Sequence, residues 1–515
     1  MELVAGDDGV DADGPLAVTL GVDNDDLSWS WSVTNDSSRA VSCRSVWRTF
    51  RVEAEGPVSM FVNGWQTWSP TGWRTAGVDA DPSTGGPHPA LLRWCHHADP
   101  DPARPGELRS ELVTVLADST GRLAMGAVGG DRHDTTFRLL DGQLLVQAWL
   151  GGAVLAAGET RQLHAVRRFP DLDTWASTCG AAAAARNAAP FTTGWCSWYQ
   201  YYAAVTESDI RRNLAASSAE WGFDVFQVDD GFQPAIGDWL ATDVERFPSP
   251  LDALAADIRA AGSTPGLWLA PFLAAPASET ARRHPHWFAR HRGASGDRPL
   301  VGQLTAAWGG EVWVLDTTLP EVQSHLEGLG RDLVAAGFPY LKLDFTYAPA
   351  LPGVYADPTY TPAERVRAGF DAFRRGAGDE AFVLGCGAPL GPVVGVVDGC
   401  RIGPDVAPWW RVRAWPVEGD GYRGTAPSTA NALASTVARR PFHRHLWLND
   451  PDCLLLRPTD TSLTEAERRA WAAAIALSGG LVLLSDELAR LGAAERDLWK
   501  GTVAAAREVD ARTRV

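Results

Sequence analysis

From residue 191 onward the chain repeats one arrangement: a short apolar run, then a stretch of helical period. The runs are "GWCSWY" from 194, "FDVFQVDDGF" from 223, "TPGLWLAPF" from 264, "PYLKLDF" from 339, "EAFVLGCG" from 380, "VDGCRIGPD" from 397, "HLWLNDPDC" from 445 and "GGLVLLSD" from 479. Strands of a parallel sheet read this way because helices cover both of its faces. The intervening helices have legible starts. "TESD" (206–209) and "TEAE" (464–467) are capping-box patterns, and Ser249 stands as a cap before Pro250 at a first helical position. In "PEVQSHLEGLGRDLVAAG" the residues Val322, Leu326, Leu329 and Leu333 fall on one face. These units predict an α/β fold of the (β/α)8 TIM-barrel type over residues 191–490. A doubly wound open sheet is the alternative. It usually has fewer strands and a glycine-rich phosphate turn, and "GCGAPLG" (385–391) has the wrong glycine spacing for one.

Residues 1–170 obey a different period. "LSWSWSV" (27–33), "RTFRVEA" (48–54), "GRLAMGAV" (121–128) and "GQLLVQAWL" (142–150) alternate apolar and polar, separated by Asn, Asp, Gly and Ser clusters. This predicts an all-β antiparallel sandwich as an N-terminal domain, with 171–190 as a linker. Residues 491–515, with "AAERDLWKGTVAAAREVDA", read as a helical tail.

Composition narrows the partners. The 515 residues are 45% hydrophobic and carry a formal net charge of -17. That acidity disfavours nucleic acid and anionic membrane surfaces. No apolar run reaches the roughly 20 residues a membrane helix needs. The acidic, Gly-rich start "MELVAGDDGVDADG" lacks the pattern of a secretory signal, so the expectation is a cytoplasmic protein. The seven cysteines, Cys43, Cys95, Cys179, Cys196, Cys386, Cys400 and Cys453, are scattered, which argues against a disulfide framework or structural zinc. "HRH" (443–445) reads as an ordinary surface pair. The 23 tryptophans fit an aromatic core, and also a sugar site, where a flat ring covers a C–H face.

Polar residues gather where such strands end: Asp229 and Asp230, Trp268, Asp344 after Lys342, Cys386, Arg401 through Asp405, Asn449 to Asp452, and Ser485 with Asp486. Asp450, Asp452 and Asp486 read as caps or loop residues. In "PYLKLDF", Tyr340, Lys342 and Asp344 share one strand face. An ammonium beside Asp344 favours its ionised form, which suits a nucleophile; a structural salt bridge is the other reading. Asp405 follows Gly403 and Pro404, and Trp409 and Trp410 could desolvate it, as suits a general acid; a helix cap is its other reading. Two carboxyls in unlike environments beside one cavity are the equipment of glycoside hydrolysis.

"NGWQTWSP" (63–70), "VDDGF" (228–232), "GLWLAPF" (266–272), "YLKLDF" (340–345), "CRIGPDVAPWW" (400–410), "WLNDPDCLLLR" (447–457) and "SGGLVLLSD" (478–486) together resemble glycoside hydrolase family 36, the melibiase-type α-galactosidases. The resemblance spans about residues 40–490 and implies a retaining mechanism. By position in the motifs, Asp344 would be the nucleophile and Asp405 the acid/base. Asp229, Asp230 and Lys342 would bind galactose hydroxyls, with Trp268, Cys386 and Arg401 lining the pocket and Trp65 reaching over it from the N-terminal domain. The resemblance implies no metal or organic cofactor. It also leads one to expect a further C-terminal β domain; only 29 residues follow Asp486, so the expectation is either that this domain is missing or that the chain is a truncated copy. A transgalactosylase resembling raffinose synthase, or a galactoside-binding protein without turnover, are the alternative functions.

Overall fold

A computed structural model of the chain describes residues 1–22, 27–79, 97–101, 103–217, 220–293, 298–412 and 426–514; Cys95 lies outside them. The N-terminal half forms two antiparallel sheets. In one, Glu2–Ala12, Val41–Glu53, Gln143–Leu155, Asp134–Leu140 and Leu108–Glu111 lie side by side. The other runs from Thr160–Gln162 through Trp29–Thr34, Val166–Phe169, Arg122–Ala127, Val113–Ala117 and Ser59–Val62 to Gly72–Thr75. Val41–Glu53 alternates buried and half-buried residues along much of its length, as the sequence period requires. Val46 and Phe50 from the first sheet share one core with Trp29, Trp31 and Met60 from the second.

The second half is built on a parallel sheet. Thr193–Cys196, Val225–Val228, Thr264–Leu269, Tyr340–Leu343, Phe382–Gly385, Gly399–Arg401 and Leu448–Asp450 follow one another in space as in sequence. On the other side of Thr193–Cys196 come Val482–Leu484 and then Cys453–Leu454. The two end stretches of the sheet, Leu448–Asp450 and Cys453–Leu454, are thus halves of one strand interrupted at Pro451 and Asp452. The sheet curls until its two edges are neighbours in the chain. Monotonic order excludes the doubly wound alternative, in which the order reverses at a switch point.

Helices follow the strands as the caps foretell. Glu207–Ala216, Pro362–Ala377 and Glu465–Ser478 open on capping boxes. Pro320–Ala335 buries Val322, Leu326, Leu329 and Leu333. One start differs: the helix Leu251–Ala260 is capped by Pro250, not by Ser249. Ser249 instead donates its N–H (2.8 Å) and hydroxyl (2.7 Å) to Glu207 on the neighbouring helix. The tail is the helix Ala493–Thr513. "HRH" is a second correction, since His443 and Arg444 are buried and both bind Asp510 of that helix, at 2.9 and 2.6 Å. No helix among the described residues is long and apolar enough to cross a membrane.

The two halves are tightly joined. Gly130 meets Gly391 so closely that a Cβ on Gly130 would stand 2.4 Å from the Gly391 Cα. The stretch expected as a linker holds the helix Leu172–Ala182. Its buried Trp175 donates to the Ala127 carbonyl (3.0 Å) and packs on Phe442, so it touches both halves. Arg439, fully buried, donates to the carbonyls of Gly64, Gln66, Thr67 and Ser69 and, on its own side, to Ile402. The irregular loop 63–70 is therefore pinned beside the sixth parallel strand.

Candidate active site

Because all strands of the curled sheet run one way, residues just past their C-terminal ends share one edge. Asp229 and Asp230 follow the second strand, Asp344 the fourth and Cys386 the fifth; Arg401 ends the sixth and Asp405 lies four residues beyond it. Trp268 is within the third strand, level with Lys342. The structure thus brings together Asp229, Asp230, Trp268, Lys342, Asp344, Cys386, Arg401 and Asp405.

Lys342 is the hub of one cluster. Its Nζ lies 3.0 Å from Asp229 Oδ2 and 3.9 Å from Asp344 Oδ2. Burial opposes the ammonium, but Asp229 and then Asp344 outweigh it and hold its pKa well above the ordinary lysine value. Asp344 also accepts from the Trp268 indole N–H (3.0 Å) and from the Phe345 amide (2.8 Å). An acceptor held by several donors is kept oriented, which a nucleophile needs. Asp229 Oδ2 takes bonds from Gln227 (2.6 Å), Lys342 and the Cys196 thiol, and its Oδ1 from the Asp230 amide (3.0 Å). Asp230 receives one donor per oxygen, Gln233 at 2.6 Å and the Trp308 indole at 2.8 Å. Asp229 Oδ1 and both oxygens of Asp230 therefore keep lone pairs for further donors. Burial raises the Asp230 pKa against the pull of those two bonds.

Arg401 is the hub of the other cluster. Its guanidinium serves three carboxylates: Nη1 to Asp405 (3.1 Å), Nε to Asp450 (3.1 Å) and Nη2 to Asp452 (2.9 Å). One cation cannot neutralise three anions, so some negative charge is left uncompensated. Asp405 absorbs part of that imbalance. A third of its side chain stays exposed, yet the surrounding walls remove enough water to push its pKa up to about 7; Arg401 opposes the shift, while Asp452 and Asp344 add to it. Burial is the largest cause of that shift, as the sequence led one to expect. The Trp409 indole donates to the Pro427 carbonyl (2.9 Å), and the charges that act on Asp405 are those of Arg401, Asp452, Asp344 and Lys342. Cys386, fully buried, is pushed well above the ordinary thiol value by burial and then by Asp344.

Trp65 departs from expectation. A buried indole N–H needs an acceptor, and it finds Asp134 Oδ1 (3.0 Å) in the N-terminal half, so Trp65 does not reach over the carboxylates. Trp68, three residues on, takes that place. It packs edge-on against Phe345 at 5.1 Å and against Tyr347. The loop is seated by Thr67 N–H on Ala388 O (3.0 Å) and Leu390 N–H on Trp65 O (3.0 Å). Phe345, directly after Asp344, has a φ of 53°, a strained value for a bulky residue. Gly387 (φ 51°) allows this, since a Cβ there would stand 2.8 Å from the Phe345 nitrogen. Trp308 closes the opposite side, packing on Phe345 (4.7 Å) and Trp268 (6.1 Å). It comes from a small antiparallel sheet, Leu273–Ala274, Gly310–Val314 and Val301–Thr305, inserted after the third parallel strand.

The sequence reading missed Trp68, Trp308, Asp450 and Asp452. The last two stand in "WLNDPDC", where the repeated acid around Pro451 was the available signal. Asp486 does hold a structural place: it binds the Leu456 and Arg457 amides and the Arg457 guanidinium. Among the described residues no cluster of His, Cys, Asp and Glu could hold a metal ion.

A carboxylate held by donors and another pushed toward neutrality, at one edge of a curled parallel sheet, form the class of site found in glycoside hydrolases. Comparisons point the same way. Residues 193–349 match the protein-family model Melibiase. "Probable alpha-galactosidase C" of Aspergillus flavus is 31% identical over 170 residues, 30% of this chain and 21% of that protein. "Alpha-galactosidase AgaA" of Geobacillus stearothermophilus is 29% identical over 140 residues, 26% of this chain and 18% of that protein. The match therefore spans about a fifth of these curated relatives. The solved TtGalA α-galactosidase of Thermus thermophilus, in complex with p-nitrophenyl α-D-galactopyranoside, superposes with a TM-score of 0.72 at 28% identity, covering 95% of each chain. These matches make the chain similar to the melibiase-type α-galactosidases of glycoside hydrolase family 36, in line with the motif resemblance.

Proposed function

We propose that this protein is a retaining α-galactosidase that removes terminal α-linked D-galactose from small galactosides such as melibiose and raffinose. The observation that carries the reading is the contrast between Asp344 and Asp405. Asp344 is fixed by the Trp268 indole and the Phe345 amide beside the Lys342 ammonium. Asp405 is pushed up to about 7 and so holds its proton at pH values well above the ordinary carboxyl range. Asp344 attacks the anomeric carbon while Asp405 protonates the departing oxygen, leaving a covalent β-galactosyl aspartate. Asp405, now ionised, takes a proton from water, which attacks the same carbon and restores the α configuration. Asp230, Asp229 Oδ1 and Lys342 receive the sugar hydroxyls, and Trp268 and Cys386 line the pocket. Charge developing on the leaving oxygen is met by a proton, so the chain's own groups supply the chemistry.

The same reading includes the architecture: an N-terminal β-sandwich over 1–170, a connecting segment 171–190, a closed (β/α)8 barrel over 191–490 and a tail from 491. Closure is supported by Leu448–Asp450 and Cys453–Leu454 lying at opposite edges of one sheet while only two residues apart. A cytoplasmic location, and the absence of nucleic-acid or membrane partners, rest on the acidic composition.

A panel of nitrophenyl glycosides, with the anomer followed by NMR, tests the function. Release from the α-galactoside with α-galactose as the first-formed anomer is expected. Turnover confined to a β-galactoside or an α-glucoside, or β-galactose appearing first, would overturn it.

A further inference from the structure

Asp452 is not needed by the mechanism above, and its surroundings are unlike those of a loop cap. Its backbone has a φ of 90°, in the left-handed region that non-glycine residues avoid. Such strain persists only where the surroundings enforce it. Four donors do so here. Oδ1 accepts from Arg401 Nη2 (2.9 Å) and from the Cys453 amide (2.7 Å). Oδ2 accepts from the Val406 amide (2.8 Å) and from the Tyr199 hydroxyl. The side chain is fully buried, so these bonds stand in for its water, with Asp450 and Lys342 the further charges that act on it.

Two of the four partners hold Asp405. Val406 is the next residue, so its amide fixes the backbone that carries the acid. Arg401 grips the Asp405 carboxyl itself through Nη1 (3.1 Å). Tyr199 ties the assembly to the turn after the first parallel strand, where its own amide is held by Ser485 Oγ (2.9 Å). Without Asp452 the guanidinium would face only Asp450 and Asp405. Its charge would then fall more heavily on Asp405 and favour the ionised carboxylate, the wrong state for an acid. The charged groups Lys342 and Asp344 and the neutral Cys386 and Tyr202, which also face Asp405, would be unchanged, while Tyr199 would lose its acceptor.

We propose that Asp452 is the positioning residue of the acid/base: it fixes the 401–406 segment and draws the Arg401 charge away from Asp405, so that Asp405 stays protonated for the first step. The proposal rests on the α-galactosidase reading. It assigns Asp452 a part in proton donation to the leaving group, and none in nucleophilic attack.

That division gives the test. Melibiose has a poor leaving group that needs a proton, whereas dinitrophenolate leaves without one. In the full-length protein, Asp452→Asn should lower kcat/KM for melibiose on the order of 100-fold, the usual worth of general acid catalysis. The same variant should hold kcat/KM for 2,4-dinitrophenyl α-galactoside within about threefold of wild type. Its high-pH limb on melibiose should also move to lower pH. Tyr199→Phe keeps the ring and removes one donor. It should show the same bias toward the activated substrate, with a smaller loss. Equal losses on both substrates in both variants, or no loss on melibiose, would overturn the proposal. If the wild-type protein turned over neither galactoside, the α-galactosidase reading would fall and take the proposal with it, a result distinct from an unbiased loss in the variants.

Discussion

Replacing Asp134 by asparagine should remove a pH-dependent weakness from the N-terminal half. Asp134 is buried and accepts the Trp65 indole N–H through Oδ1 (3.0 Å), while its Oδ2 has no partner. Burial, and then repulsion from Glu111, push its pKa from 3.8 up to about 7; the Trp65 bond pulls the other way. Unfolded, the carboxyl releases its proton near 3.8; folded, it holds it to about 7. Between those values the folded protein binds more protons, so stability falls as pH rises, and above about 7 the loss is complete. Between pH 5 and 8.5 the loss is about 3 kcal/mol, because each tenfold change in proton activity up to the folded pKa is worth about 1.4 kcal/mol. Asparagine keeps an acceptor for Trp65 and cannot ionise. The assay is thermal unfolding followed by tryptophan fluorescence at both pH values. Wild type should lose about 6–12 °C more than Asp134→Asn over this interval, taking 2–4 °C per kcal/mol for a domain of this size. Parallel pH dependence in the two proteins would refute the reasoning.

Two more outcomes follow from the buried network. Arg439→Met should destabilise the protein on the order of 4 kcal/mol in urea unfolding, since it strips several buried carbonyls of their donor; a change below about 1 kcal/mol would show that the loop 63–70 is held by other contacts. Asp229→Asn should raise KM for a nitrophenyl α-galactoside about 10- to 100-fold, with a smaller effect on kcat, through the weakened hold on Lys342. An unchanged KM would remove Lys342 and Asp229 from galactose binding.

The eight strand segments and their helices were legible because period and caps are local properties: "TEAE" and "TESD" dictate their helix starts wherever the helix packs. Ser249 was misplaced by one position because Glu207, distant in sequence, claims its hydroxyl. The acidic edge was also legible, since a parallel strand's C-terminal end can be read from its apolar run. What escaped depends on distant partners. Trp65 and Trp68 sit three residues apart in an irregular loop, where no period says which ring turns to Asp134 and which to Phe345. Asp450 and Asp452 gain meaning only when the seventh strand lies beside the sixth and Arg401 reaches both. Trp308 arrives from an inserted hairpin that carries no motif signal.

The most direct test of the two-carboxylate account is rescue by azide, with product configuration read by NMR. Azide can replace the lost nucleophile in Asp344→Gly, attacking from the face Asp344 occupied, and should yield β-galactosyl azide from an activated α-galactoside. In Asp405→Gly it should attack the covalent intermediate instead and yield α-galactosyl azide. The same anomer from both variants, or turnover by Asp344→Gly without azide at the wild-type rate, would contradict the assignment of Asp344 as nucleophile and Asp405 as acid/base.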